Sequence, residues 1–140
     1  MATTHMLHAV DPRADLQHKI GDISHIRVLH NQVLVATYVR PERTAGGIIL
    51  AQSTRKEDEY QGKVGLVIAK GPMAFRDDDR TQFHGQDVEL GEWISYRMSD
   101  GWQLIVKGKP SAENPKGEYH CRMLQDVDIK AVISSPDDVL

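Results

Sequence analysis

The sequence has little of several residue types, and each shortage excludes a class of protein. Its 140 residues include one cysteine, Cys121, which excludes an intrachain disulfide and a zinc site built from several cysteines of one chain. Its 17 lysines and arginines are outnumbered by 20 aspartates and glutamates, a balance that argues against a protein that coats nucleic acid. No apolar run approaches the roughly 20 residues that span a bilayer, and the first residues lack a secretory signal pattern. We therefore expect a cytoplasmic protein that binds neither nucleic acid nor membrane.

Short β-type segments separated by glycine-containing turns make up most of the chain after residue 25. Only 6% of the residues are aromatic, so the core between these segments should be mainly aliphatic. In residues 32–39, alternate positions hold side chains that should share one face, namely Val33, Val35, Thr37 and Val39. Further short strands are predicted at residues 64–69, 93–98, 103–106, 119–124 and 127–133. This pattern, over a length that suits one domain, predicts an all-β barrel or sandwich.

The first 22 residues have a different pattern. Asp11 followed by Pro12 is a helix start signal, because Asp caps a helix and Pro fits its first position. Leu16, Ile20 and Ile23 then fall on one helical face. We expect about two helical turns here, either docked on the domain or frayed. A leader without fixed structure is the alternative, since chain termini are often loose.

Residues 41–61 have no convincing strand or helix pattern. Structureless loops longer than about 12–15 residues are uncommon in compact domains, and are usually functional or disordered. Within this segment, an apolar triplet of Ile48, Ile49 and Leu50 directly follows Gly46 and Gly47. Two interpretations of the triplet stay open, a short buried strand after a glycine turn and an exposed binding segment.

Four segments, in a fixed order, resemble the chaperonin-10 co-chaperonins, the GroES family. They are residues 26–50, which end in Ala-Gly-Gly-Ile-Ile-Leu, and residues 61–67, 88–94 and 126–133. The resemblance implies an all-β fold, a GroES-like partly open β-barrel, over residues 25–140. It also implies a long mobile loop at about residues 41–61 and a roof-like segment at about residues 73–87. Residues 1–24 then form a short N-terminal extension, for which the helix and the loose leader described above both stay open.

The same resemblance implies a co-chaperonin function. In this family a ring, here a heptamer, caps a GroEL-like chaperonin and encloses unfolded substrate protein during ATP-dependent folding. The implied chaperonin-binding residues of the mobile loop are Thr44, Ala45, Gly46, Gly47, Ile48, Ile49 and Leu50. The chain is then not an enzyme and needs no cofactor, because the partner chaperonin binds the ATP.

Three segments depart from the family pattern, namely the tail before Ser24, the polar residues 73–87 and the long connection 107–118. Such divergence around a retained loop favours a specialised member, such as a phage-encoded co-chaperonin acting in the bacterial cytoplasm. The alternative function is a structural β-barrel protein of a phage particle, since a fold does not by itself define a function.

Other motifs favour ordinary structural roles. Asp77, Asp78 and Asp79 lack the ligand spacing of a calcium loop, so a solvated loop tip is expected. None of the seven histidines has a metal-site spacing, so no metal is predicted. Cys121 is expected to be a small core residue. Its side chain should point to the opposite face of the strand from the side chain of His120. Core or subunit-interface positions are expected for the aromatic residues Trp93, Tyr96 and Trp102.

Overall fold

A computed structural model describes residues 11–39, 63–112 and 114–138 of the chain. In these ranges one helix, α1, covers Pro12–Ile20, and the strands are β1 Gln32–Thr37, β2 Val64–Lys70, β3 Trp93–Ser95, β4 Trp102–Lys107, β5 Glu118–Gln125 and β6 Ala131–Ile133. Short 3-10 turns cover Asp126–Asp128 and Pro136–Asp138. The strands form one open antiparallel sheet in the order β4-β5-β1-β2-β3-β6. The prediction of an all-β, GroES-like fold with a short helix is confirmed.

Strand β1 lies inside the sheet, between β5 and β2, and is buried on both faces. Val33 and Val35 belong to one core cluster, as their alternation predicted. Leu34 and Ala36 belong to a second cluster on the opposite face. The expectation of one apolar face was therefore incomplete, because α1 and the residues that follow it cover the second face.

Helix α1 begins where its sequence signals predict. The Asp11 carboxylate accepts a hydrogen bond from the Ala14 N–H at 3.3 Å, and Gly21, with φ of 72°, ends the helix. Ile20 is only 3% exposed and belongs to the same cluster as Leu34, while Leu16 and Ile23 pack against that cluster. The helix is thus docked on the sheet, and the alternative of a loose leader is wrong for residues 11–24. Residues 1–10 lie outside the described ranges.

The last predicted strand was wrong in its first half. Residues 127–133 were expected to be one strand, but a 3-10 turn at Asp126–Asp128 precedes the short β6. The carboxylate of Asp128 accepts a hydrogen bond from the Gln125 N–H at 2.9 Å, and Asp126 accepts one from the Val127 N–H at 2.8 Å. Such local bonds between side chains and backbone compete with the strand ladder, and the apolar alternation does not reveal them.

The roof-like segment, residues 73–87, contains turns and no strand. Three of its residues other than glycine have positive φ values, namely Phe75 at 62°, Arg80 at 55° and His84 at 54°. Residues other than glycine adopt this left-handed backbone conformation infrequently. The segment therefore consists of turns, and its polar sequence had already led us to expect a departure from the family pattern.

Candidate functional site

The sheet has two ends, and its connections divide between them. We call the end that holds Thr37, Val64, Lys107 and Glu118 the loop end, because the β1–β2 and β4–β5 connections leave the sheet there. At the other end, here called the roof end, Lys70 pairs with Val33 and the chain continues into the roof-like segment. The first and last residues of the β1–β2 connection, Tyr38 and Lys63, therefore lie at the loop end.

The β1–β2 connection is far longer than the strands require. Thr37 pairs with Gly65, and the Tyr38 N–H donates to the Val64 carbonyl at 2.9 Å, so the strand ends are already side by side. A hairpin between such strands commonly needs two to five residues, whereas this chain uses residues 38–63. Excess length of this kind is usually functional or disordered.

The predicted binding residues themselves, Thr44, Ala45, Gly46, Gly47, Ile48, Ile49 and Leu50, lie outside the described residues. The structure thus fixes where their segment begins and ends, and their role in binding stays a prediction.

The β4–β5 connection, residues 108–117, is held back against the sheet. The Gly108 N–H donates to the Gly117 carbonyl at 2.6 Å, and the Tyr119 hydroxyl donates to the Lys109 carbonyl at 3.0 Å. The side-chain amide of Asn114 donates to the Glu118 carbonyl at 2.7 Å. These bonds give the described part of the connection a defined shape.

Helix α1 and the β4–β5 connection contact each other directly. The Lys109 N–H donates to the Lys19 carbonyl in the last turn of α1, at 2.9 Å. A Cβ added to Gly108 would lie 2.9 Å from the Ile20 Cα, so the two backbones approach as closely as a glycine allows. Two of the segments that depart from the family pattern therefore pack together at the loop end. No local sequence signal could have revealed this contact, because the partners are distant in the chain.

Lysine side chains dominate the described surface of this contact. Lys19 pairs with Asp15 at 3.0 Å, and the exposed Lys107 reaches Glu118 only at 3.6 Å. Lys109 and Lys116 are exposed, and neither forms an ion pair with a residue in the described ranges. Among the described residues, the loop end thus carries two lysine charges, Lys109 and Lys116, that form no ion pair with a described carboxylate.

The roof end is organised around Asp77. Its carboxylate accepts hydrogen bonds from the backbone N–H groups of Thr81, Gln82, Phe83 and His84. Desolvation works to raise the pKa of Asp77, but these four hydrogen bonds outweigh it and lower the pKa below its ordinary value. Asp78 and Asp79 are exposed, as the solvated loop tip predicted, whereas Asp77 shapes the turn.

The remaining candidate residues are parts of the core or the surface. Cys121 is 1% exposed, and desolvation raises the pKa of its thiol to about 12, so it is a protonated core residue. Trp93 and Tyr96 are buried, whereas Trp102 is 56% exposed. Within the described ranges, no group of three or more His, Cys, Asp or Glu side chains is placed to hold a metal. No described helix is long and apolar enough to cross a membrane.

An all-β sheet with a long β1–β2 connection is the architecture that the resemblance to the co-chaperonins implies. Residues 25–133 match the family described as Chaperonin 10 Kd subunit. The chain therefore belongs to the chaperonin-10 family, which is a family of co-chaperones and not of enzymes.

Curated relatives with similar sequences carry co-chaperonin names. Co-chaperonin GroES 3 of Bradyrhizobium diazoefficiens is 35% identical over 83 residues, which cover 59% of this chain and 74% of the relative. Co-chaperonin GroES of Dinoroseobacter shibae is 36% identical over 81 residues, covering 58% and 73% of the two chains. Co-chaperonin GroES of Pelagibacter ubique is 33% identical over 81 residues, covering 58% and 78%. These similarities support a co-chaperone function for this chain.

Proposed function

We propose that the chain forms a ring that caps a GroEL-like chaperonin in the bacterial cytoplasm and encloses substrate protein during ATP-dependent folding. The observation that carries this proposal is the β1–β2 connection, which joins adjacent strand ends through residues 38–63. That connection contains the segment Gly-Gly-Ile-Ile-Leu, residues 46–50. Membership of the chaperonin-10 family, and the GroES names of the relatives, support the same function.

The energetics of one binding segment favour a ring. Burying Ile48, Ile49 and Leu50 in a groove of the partner contributes roughly 1.5–3 kcal/mol for each side chain. Fixing the backbone of a binding segment costs about 1–2 kcal/mol for each residue. The two contributions nearly cancel, so a single copy binds weakly. In a ring, the first bound copy holds the others at high effective concentration, and the assembled particle binds far more tightly.

The edges of the sheet are consistent with assembly into a ring. Within the described ranges, the outer edges of β4 and β6 have no neighbouring strand. Exposed strand edges with apolar side chains are sites at which other chains add. Trp102 and Ile105 of β4 are 56% and 51% exposed, and Val132 of β6 is 49% exposed. Ring assembly would cover such surfaces in every copy, and the family resemblance implies seven copies.

The chain needs no cofactor in this function, because the chaperonin binds and hydrolyses the ATP. The family match and the names of the relatives favour a co-chaperonin over a structural protein of a phage particle. A purely structural barrel also has no need for an apolar triplet in an extended connection. Encoding by a phage stays a prediction.

Capture by a purified GroEL-like chaperonin tests this function. The chain is mixed with the chaperonin in the presence and absence of ADP, and the masses of the free and bound particles are measured. We expect a free ring, capture that depends on nucleotide, and loss of capture in Ile49→Asp without a change in ring mass. The conservative variant Ile49→Val serves as the control and should be captured normally. Unchanged capture of Ile49→Asp would contradict the proposal.

A further inference from the structure

We infer that α1 and the β4–β5 connection form a second chaperonin-binding surface at the loop end. We call it the basic surface; it consists of Lys109, Lys116 and the last turn of α1, and its partner is an acidic surface of the chaperonin. This inference rests on the proposed function, since it takes residues 41–61 as the first contact. It assigns a role to two segments that lie outside the family pattern.

The placement of the strands brings the basic surface next to the β1–β2 connection. Strands β5 and β1 are neighbours, with Cys121 opposite Ala36, and β4 pairs with β5 up to Lys107 and Glu118. Neighbouring strands lie about 4.8 Å apart, so the two connections leave the sheet side by side. A large partner that binds one of them therefore comes into reach of the other.

The backbone at Lys109 is held by hydrogen bonds on two sides. The hydrogen bond from the Lys109 N–H to the Lys19 carbonyl fixes the connection to α1, and the bond from the Tyr119 hydroxyl to the Lys109 carbonyl fixes it to β5. Ile20, buried at 3% exposure, anchors the helix in the core. A backbone that is already held in this way loses little conformational freedom on binding, so charge contacts made by Lys109 add to affinity.

The charge of this surface indicates the chemistry of its partner. Lys109 and Lys116 form no ion pair with a described residue, and the pair between Lys107 and Glu118, at 3.6 Å, is the longest of the described ion pairs. The whole chain carries a net charge of −3, so a positive surface is not a general property of this molecule. Opposite charges across an interface accelerate association and make affinity depend on salt. The lysines therefore fit a chaperonin surface rich in carboxylates.

Charge reversal at the two ends of the sheet tests the inference. The test variant is Lys109→Glu with Lys116→Glu, and the matched control at the roof end is Arg76→Glu with Arg80→Glu. Dissociation constants for an ADP-loaded GroEL-like chaperonin are measured at 50 and 200 mM salt for both double variants and for the unsubstituted chain. We expect the test variant to bind about tenfold more weakly at the lower salt, with a smaller loss at the higher salt. The control should stay within about twofold of the unsubstituted chain.

The outcomes separate this inference from the proposed function. If the unsubstituted chain fails to bind, or Ile49→Asp binds normally, the proposed function is wrong. If both behave as expected but the lysine variant binds like the unsubstituted chain at both salt concentrations, only the basic surface is refuted. A loss of affinity that is equal at both salt concentrations also refutes it. Lys109→Gln with Lys116→Gln removes the charges without adding repulsion and should give a smaller, salt-dependent loss, while circular dichroism and ring mass verify folding.

Discussion

The carboxylate of Asp126 accepts a hydrogen bond from the backbone N–H of Phe75 at 3.0 Å, and this bond joins the end of β5 to the roof-like segment. Asp126 is only 4% exposed and also accepts a hydrogen bond from the side-chain amide of Asn31 at 3.2 Å. One buried acid thus holds three separate parts of the chain together at the roof end.

Replacing this acid should destabilise the fold strongly. In Asp126→Ala, the Phe75 N–H and the Asn31 amide lose their acceptor, and an unsatisfied buried donor costs about 1–3 kcal/mol. We expect the free energy of unfolding to fall by about 3 kcal/mol, measured by urea unfolding at one fixed protein concentration because assembly shifts apparent stability. Asp126→Asn retains an acceptor oxygen and should lose less. A loss below about 0.5 kcal/mol in Asp126→Ala would show that these bonds do not hold the roof end.

The turn that Asp77 holds should be sensitive to acid. Four backbone N–H groups lower the pKa of Asp77 below the ordinary value of 3.8, against the opposing effect of desolvation. Because the pKa is lowered in the folded state, the ionised Asp77 contributes to stability at pH values above 3.8. This contribution is lost as the pH falls through the folded pKa. The backbone amides of residues 81–84 should therefore lose their protection from hydrogen exchange at pH values below 3.8. In Asp77→Ala the same amides should be unprotected at every pH. Equal protection in Asp77→Ala and the unsubstituted chain at neutral pH would contradict this role.

The buried thiol of Cys121 predicts a loss of stability at alkaline pH. Desolvation raises the pKa of Cys121 to about 12 from an ordinary value of 9.0, so the folded state favours the protonated thiol. The contribution of the buried thiol to stability is complete at pH values below its ordinary pKa. It is lost as the pH rises toward the pKa of the folded state. We expect the unsubstituted chain to lose about 1 kcal/mol more than Cys121→Ala between pH 8 and pH 10, measured from unfolding midpoints. Parallel pH profiles of the two proteins would contradict this effect.

The close approach of α1 to the β4–β5 connection is tested at Gly108. A Cβ at this position would lie 2.7 Å from the Tyr119 ring and 2.9 Å from the Ile20 Cα. Gly108→Ala should therefore displace α1, with a loss of about 1–3 kcal/mol and faster proteolysis within the helix. Pro115→Ala, an exposed position on the same connection, is the control and should behave like the unsubstituted chain. Normal proteolysis of Gly108→Ala would show that the helix accommodates the added methyl group.

Local signals in the sequence predicted much of the fold. The start of the helix follows from Asp11 and Pro12, whose roles at a helix N-terminus depend only on neighbouring residues. The end of the helix at Gly21 was not predicted. The β2 strand follows from an apolar run bounded by glycines, and it was found at Val64–Lys70. The fold class was predicted correctly because each such strand is indicated by the apolar pattern of its own residues.

Features that depend on distant partners were not predictable in this way. The bonds between Asp126 and Phe75, and between Lys109 and Lys19, join positions that no repeat or spacing connects. The turn at Asp126–Asp128 replaced a predicted strand because side-chain acceptors compete with the apolar alternation. The binding role of residues 44–50 was implied by the family resemblance, and it remains to be tested by capture of Ile49→Asp.

The direct pairing of Thr37 with Gly65 has a consequence for the evolution of this chain. Because the strand ends pair directly, we expect residues 40–62 to tolerate changes in length and sequence with little effect on the sheet. The entropic cost of closing a loop rises only slowly, by about 0.6 kcal/mol for each doubling of the loop length. Selection for a new partner can therefore act on the connection while the sheet remains unchanged, so partner recognition and the fold can evolve separately in one small domain.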